Sequence, residues 1–181
     1  MAGSESHHQL PLPRFDAAPK LLVVVAPYYR DIADDLIAGA RATLEAAGAG
    51  HELVEVPGAL EVPSAIAADD TAQRHEPVEI GLPERRGETT HYETVCNDSS
   101  NGLMLLGLQG ACVGNGILTV DHRDQAWARA KVSGKNKGGG AAEAALTMIE
   151  TRRRFGLDRC CPLYTFPSPR DRQKSRRPSS A

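Results

Sequence analysis

The chain has 181 residues, enough for one domain with a sizeable core, and a formal net charge of −2. Such a balance gives no overall basic character for nucleic acid, and no apolar run approaches the roughly 20 residues that cross a bilayer. A hydrophobic share of 41% with only 4% aromatics implies a globular protein packed by aliphatic side chains.

The first 19 residues lack an apolar signal core and read as a disordered arm. Lys20 to Ala26, KLLVVVA, is a continuous aliphatic run, as expected of a strand buried on both faces of a parallel sheet. Pro27 stops it, and Tyr28-Tyr29-Arg30 form a loop at its carboxyl end. From Asp31 the residues Ile32, Leu36, Ala40, Leu44 and Ala47 recur at helical spacing until Gly48. Glu52 to Val56 is a second strand, followed by a Pro57-Gly58 turn and a helix over Leu60 to Ala68. Strand, helix, strand, helix is the pattern of a doubly wound α/β domain, in which ligands bind beyond the carboxyl ends of the strands. Tyr28 and the turn Gly58-Ala59-Leu60-Glu61 both fall there.

A third strand should follow, but Asp69 to Arg85, DDTAQRHEPVEIGLPER, carries Pro77, Pro83 and a charge density unsuited to a central strand. The change from strand-compatible sequence to this stretch and back reads as a shifted reading frame between intact flanks. Next comes Arg86 to Asp98, RGETTHYETVCND. Gly87 permits an unusual backbone angle or close approach by a ligand. Thr90 and Glu93 make a capping box that starts a helix near His91. The first turn of a helix favours phosphate, and the same end disfavours a charged imidazole, so an anion site and a proton-transfer group lie side by side.

Val95 to Cys112 is then expected as a long helix, Val113 to Val120 (VGNGILTV, with Asn115) as a strand, and Asp121 to Lys131 as a polar helix bearing Arg129. Lys131 to Gly140 reads as a Gly-rich loop and Ala141 to Phe155 as a final Ala-rich helix. From Leu157 the chain turns rich in proline, serine and arginine without periodicity, a disordered basic tail over 157–181. Cys96, Cys112, Cys160 and Cys161 show neither CxxC nor metal spacing, which suits reduced thiols in the cytoplasm.

Four separated segments together resemble the lumazine synthase family of riboflavin biosynthesis. They are the first strand ending at Tyr28, VPGALEVP at Val56 to Pro63, RGETTHYETVCND, and the run from GILTV through Gln125, Ala126 and Arg129 to Asn136-Lys137-Gly138. The resemblance covers about Lys20 to Gly156 outside the Asp69 to Arg85 interval. It implies a three-layer, flavodoxin-like α/β sandwich around a parallel sheet, with the third strand in doubt. It also implies a condensation that needs neither metal nor organic cofactor. The substrates would be 5-amino-6-(ribitylamino)uracil and 3,4-dihydroxy-2-butanone 4-phosphate, the products 6,7-dimethyl-8-ribityllumazine and phosphate.

On that resemblance His91 is the proton shuttle, and Gly87, Glu88, Thr89 and Arg129 take the phosphate. Tyr28 stacks on the pyrimidine, and the Gly58, Ala59 and Leu60 backbone meets its edge. Glu61 accepts from the ribityl hydroxyls, Asn115 joins the substrate-binding set, and Lys137 reaches over from a neighbouring subunit. Homo-oligomers follow, as pentamers or larger shells, together with a functional link to riboflavin synthase and no nucleic-acid or membrane partner.

Overall fold

The computed structural model describes residues 10–71, 75–80, 84–85, 91–120 and 122–157. Lys20–Val25 forms β1, whose residues from Leu21 on are all buried, as an unbroken aliphatic run requires. Helix α1 (Arg30–Ala46) buries Ile32, Ala33, Leu36, Ile37, Ala40 and Leu44 and gives way to Gly48 at φ +67. Gly50–Glu55 is β2, a 3₁₀ turn spans Ala59–Glu61, and α2 is Val62–Thr71. Then follow β3 (Glu76–Ile80), β4 (Glu84–Arg85), α3 (His91–Leu108), β5 (Gly114–Asn115), β6 (Thr119–Val120), α4 (Arg123–Ala130) and α5 (Lys137–Arg154).

The main sheet is parallel with order β2-β1-β3-β5. Successive residues of β1 point to opposite faces and split the core. Leu21, Val23 and Val25 pack with α1, α4 and α5, whereas Leu22, Val24 and Ala26 pack with α2 and α3 through Val62, Ile66, Leu103 and Leu106. This is the three-layer α/β sandwich expected from the sequence.

Glu76–Ile80 does supply the third strand, at the centre of the sheet, which corrects the doubt about the Asp69 to Arg85 interval. Two features make it tolerable. Pro77 lies opposite Leu22 of β1 but ahead of the β5 ladder, which starts at Val78, so the proline interrupts no β3–β5 pair. The two buried polar residues at its start, His75 and Glu76, also have partners. Buried Glu76 is ion-paired and hydrogen-bonded to Arg152 at the end of α5, and Arg152 also donates to the Gly110 carbonyl at 3.3 Å. His75, 2% exposed, meets Asp69 of α2 through Nδ1 at 2.8 Å. Its Nε2 is 3.2 Å from the Glu52 carboxylate, within ion-pair reach but out of hydrogen-bond alignment.

Three other expectations shift. Val113 to Val120 is two short strands, because the Asn115 side-chain oxygen accepts from the Ile117 N–H at 2.8 Å and turns the chain between them. Beyond the turn, β4 and β6 pair in a second two-stranded ladder. Helix α3 stops at Leu108, short of Cys112, where Gly110 takes φ +102. The loop expected to run to Gly140 ends at Asn136, which adopts a left-handed conformation (φ 44) and accepts from the Gly139 N–H, so Lys137–Gly140 forms the first turn of α5. The glycines have a packing reason, since a Cβ on Gly138 would strike the Leu36 carbonyl of α1.

Of the expected N-terminal arm, residues 10–19 lie against the body: Pro13 is buried, Leu12 and Phe15 pack on the core, and Arg153 stacks over Phe15 at 5.1 Å. A cavity of about 670 Å³ lies between this segment and Ala46, Ala47 and Gly48. Residues 1–9 and 158–181, with the rest of the arm and nearly all of the expected tail, lie outside the described residues.

Candidate active site

Parallel strands place all their carboxyl ends at one edge of the sheet, so the segments after β1, β2 and β3 and the Asn115 turn of β5 share that edge. After β1 the chain bends at once. The Tyr28 N–H donates to the Ala26 carbonyl at 2.9 Å, and the Tyr29 carbonyl accepts from Ile32 and Ala33 to open α1. Tyr28 is 74% exposed, and its ring stands edge-on to Tyr29, with centroids 5.0 Å apart and planes at 87°.

Arg30 fastens this loop sideways, donating to Glu55 at the end of β2 at 2.7 Å and to Asp34 at 3.1 Å. The hydrogen bond to Glu55, reinforced by the charges of Glu55 and Asp34, raises the pKa of Arg30 above its ordinary value. The Val56 N–H donates to the Val25 carbonyl at 2.8 Å and keeps the two strand ends in step up to the next turn.

In that turn Ala59 is buried and anchors the 3₁₀ segment, while Leu60 and Glu61 are exposed. The Glu61 N–H donates to the Gly58 carbonyl at 3.2 Å, and the Glu61 side chain folds back over Gly58. A Cβ on Gly58 would lie 2.9 Å from Glu61 Oε2, so glycine is what lets the carboxylate lie there. Helix α3 packs beside this turn and against α2, where a Cβ on Gly102 would reach within 2.8 Å of Pro63. As the helix crossing from β3 to the parallel β5, α3 runs back along the sheet, and its first turn opens on the carboxyl edge. It starts at His91, as the Thr90–Glu93 spacing in the sequence predicts. Gly87, Glu88, Thr89 and the His91 side chain lie outside the described residues.

The same edge therefore gathers Tyr28, the Gly58 to Glu61 turn, the start of α3 and Asn115. Asn115 commits its carbonyl oxygen to Ile117, so its amide offers a ligand the donor half. Arg129 and Lys137 stand apart from the Gly58 turn within one subunit. Both belong to the α1–α4–α5 layer: Arg129 is half-buried and donates to the Gln125 carbonyl of its own helix at 3.1 Å, and Lys137 is exposed on the first turn of α5. Sequence reasoning missed Arg123 and Asp31, which meet in an ion pair beside Tyr29. Among the described residues no group of three or more His, Cys, Asp or Glu side chains is arranged to hold a metal ion.

An aromatic face, an exposed carboxylate over a backbone turn and a helix start fit a flat polar ring bound beside an anion. Residues 18–153, from the approach to β1 nearly to the end of α5, match the profile of the family described as 6,7-dimethyl-8-ribityllumazine synthase. The chain belongs to that family. The 6,7-dimethyl-8-ribityllumazine synthase of Xanthobacter autotrophicus is 55% identical over 143 residues, covering 75% of this chain and 86% of its own. The lumazine synthase of Jannaschia sp. is 48% identical over 157 residues, with 86% and 87% covered, and that of Agrobacterium fabrum 48% over 145 residues, with 76% and 97% covered. The bounds of the match, residues 18–153, enclose the Glu76–Ile80 strand.

Proposed function

We propose that this chain condenses 5-amino-6-(ribitylamino)uracil with 3,4-dihydroxy-2-butanone 4-phosphate to 6,7-dimethyl-8-ribityllumazine and releases phosphate. The observation that carries the reading is the convergence of Tyr28, the Gly58 to Glu61 turn and the α3 start on one sheet edge, in a chain of this family. The pyrimidine stacks on Tyr28 and is held at its edge by the Gly58, Ala59 and Leu60 backbone and by Asn115, while Glu61 accepts from ribityl hydroxyls. The phosphate sits against the Gly87-Glu88-Thr89 backbone and the first turn of α3, with Arg129 as its cation.

The amine and the ketone form a Schiff base with loss of water, phosphate is eliminated, and the ring closes with loss of a second water. His91 moves the protons that imine formation and elimination require. Holding both substrates in one orientation supplies much of the acceleration. Arg129 and Lys137 complete a site from a neighbouring subunit. The assembly is a homo-oligomer, as a pentamer or a larger shell, in the cytoplasm, and it hands its product to riboflavin synthase.

The test is to supply both substrates to the purified protein and follow the fluorescence of the lumazine product. Phosphate release in step with product is expected; binding of the pyrimidine with no product formed would overturn the reading.

A further inference from the structure

The loop that presents Tyr28 is tied to a distant helix by a contact that the condensation chemistry does not by itself require. Arg123, the first residue of α4, is hydrogen-bonded and ion-paired through Nη2 to Asp31 in the first turn of α1. Its guanidinium carbon lies 5.8 Å from the centroid of the Tyr29 ring, within cation–π range. Tyr29 in turn meets Tyr28 edge-on at 5.0 Å and 87°. Tyr29 is half-buried against the core, whereas Tyr28 is 74% exposed and has the Tyr29 ring as its aromatic neighbour.

From these contacts we infer that Arg123 is a positioning residue for the pyrimidine site. Anchored by Asp31, it fixes the Tyr29 ring, and the Tyr29 ring fixes the plane of Tyr28 on which the heterocycle stacks. The inference rests on the stacking role given to Tyr28 above. The backbone of the loop has its own supports, namely the Ala26–Tyr28 bond, the helix start at Tyr29 and the Arg30–Glu55 pair. What Arg123 adds is the orientation of the rings. Its side chain is 58% exposed and that of Asp31 41%, so the pair contributes little to folding, and its removal reports on the site rather than on the fold.

Arg123→Met keeps the length of the side chain and removes its charge. Steady-state kinetics with each substrate varied in turn should show KM for the ribitylamino-pyrimidine rising about three- to tenfold, the scale of an aromatic-pair or cation–π contact. kcat, KM for the ketose phosphate and the melting temperature should stay as in the parent. In a Tyr28→Ala background the same substitution should have no further effect. An unchanged pyrimidine KM in Arg123→Met, or an equal rise that persists in the Tyr28→Ala background, would overturn the inference while leaving Tyr28 in its role. If Tyr28→Ala alone leaves the pyrimidine KM unchanged, the stacking role itself fails, and the positioning role falls with it.

Discussion

At the scale of single residues, the site separates groups that bind from groups that transfer protons. In the proposed site the phosphate is held by backbone N–H groups, the start of α3 and Arg129, none of which depends on the identity of the side chain at position 91. His91→Ala should therefore lower turnover by about 10²–10⁴-fold, the usual range for general acid–base catalysis. Phosphate affinity, measured by calorimetry, should stay nearly unchanged; an equal loss of both would give His91 a structural role instead. Gly58 tests the other half of the site. In Gly58→Ala the new methyl group would displace the Glu61 carboxylate, and pyrimidine KM should rise while phosphate affinity holds. The helix start at His91 and the turn at Gly58 were legible in the sequence because their settings are local: a capping pattern, and a four-residue turn after a strand. Arg123 was not legible. Its partner Asp31 lies 92 positions away, and only the fold brings the two together.

At the scale of elements the same distinction between local and distant partners explains the third strand. A run reading EPVEI looks unfit for the centre of a sheet, because sequence displays the charge of Glu76 but not the residue that offsets it. Arg152, 76 positions from Glu76, supplies the countercharge. The side chains are only 16% and 9% exposed, so breaking the pair leaves a charge in a poorly solvated place. Arg152→Met should cost about 3 kcal/mol in urea unfolding, and adding Glu76→Gln should recover part of that loss by removing the stranded carboxylate. Helices α1 and α3, by contrast, were plain from apolar spacing and capping. The first turn of α5 was missed because three consecutive glycines look like a loop. Two of them have a tertiary reason: a Cβ on Gly139 would strike Asn136 and Thr43, and α5 approaches α1 so closely that Gly138→Ala would drive a methyl group into the Leu36 carbonyl. That substitution should destabilise by about 1–3 kcal/mol, read as a lower urea midpoint at unchanged slope.

At the scale of the whole molecule, one surface of α3 asks for a partner. Leu103 and Leu106 face the core, while Met104, Leu105 and Leu108 are 65%, 59% and 78% exposed and lie together on the opposite side of the helix. Contiguous apolar side chains of this size on a helix that begins at the carboxyl edge of the sheet suit burial between copies of the chain. Assembly would also explain why Arg129 and Lys137 stand apart from the Gly58 turn within one subunit: the residues that complete a site would come from the next copy. The two ideas predict one linked outcome. Met104→Lys with Leu108→Lys places two ammonium groups in the proposed contact, where burial without a partner is strongly unfavourable. Light scattering should show the parent at a multiple of its 19.4 kDa chain mass, about fivefold or more, and the double variant at the mass of one chain. Circular dichroism should match the parent, because neither residue packs in the core of its own subunit. Product formation should fall with the assembly. A dispersed variant that turns over at the parent's rate would show instead that each subunit carries a complete site of its own.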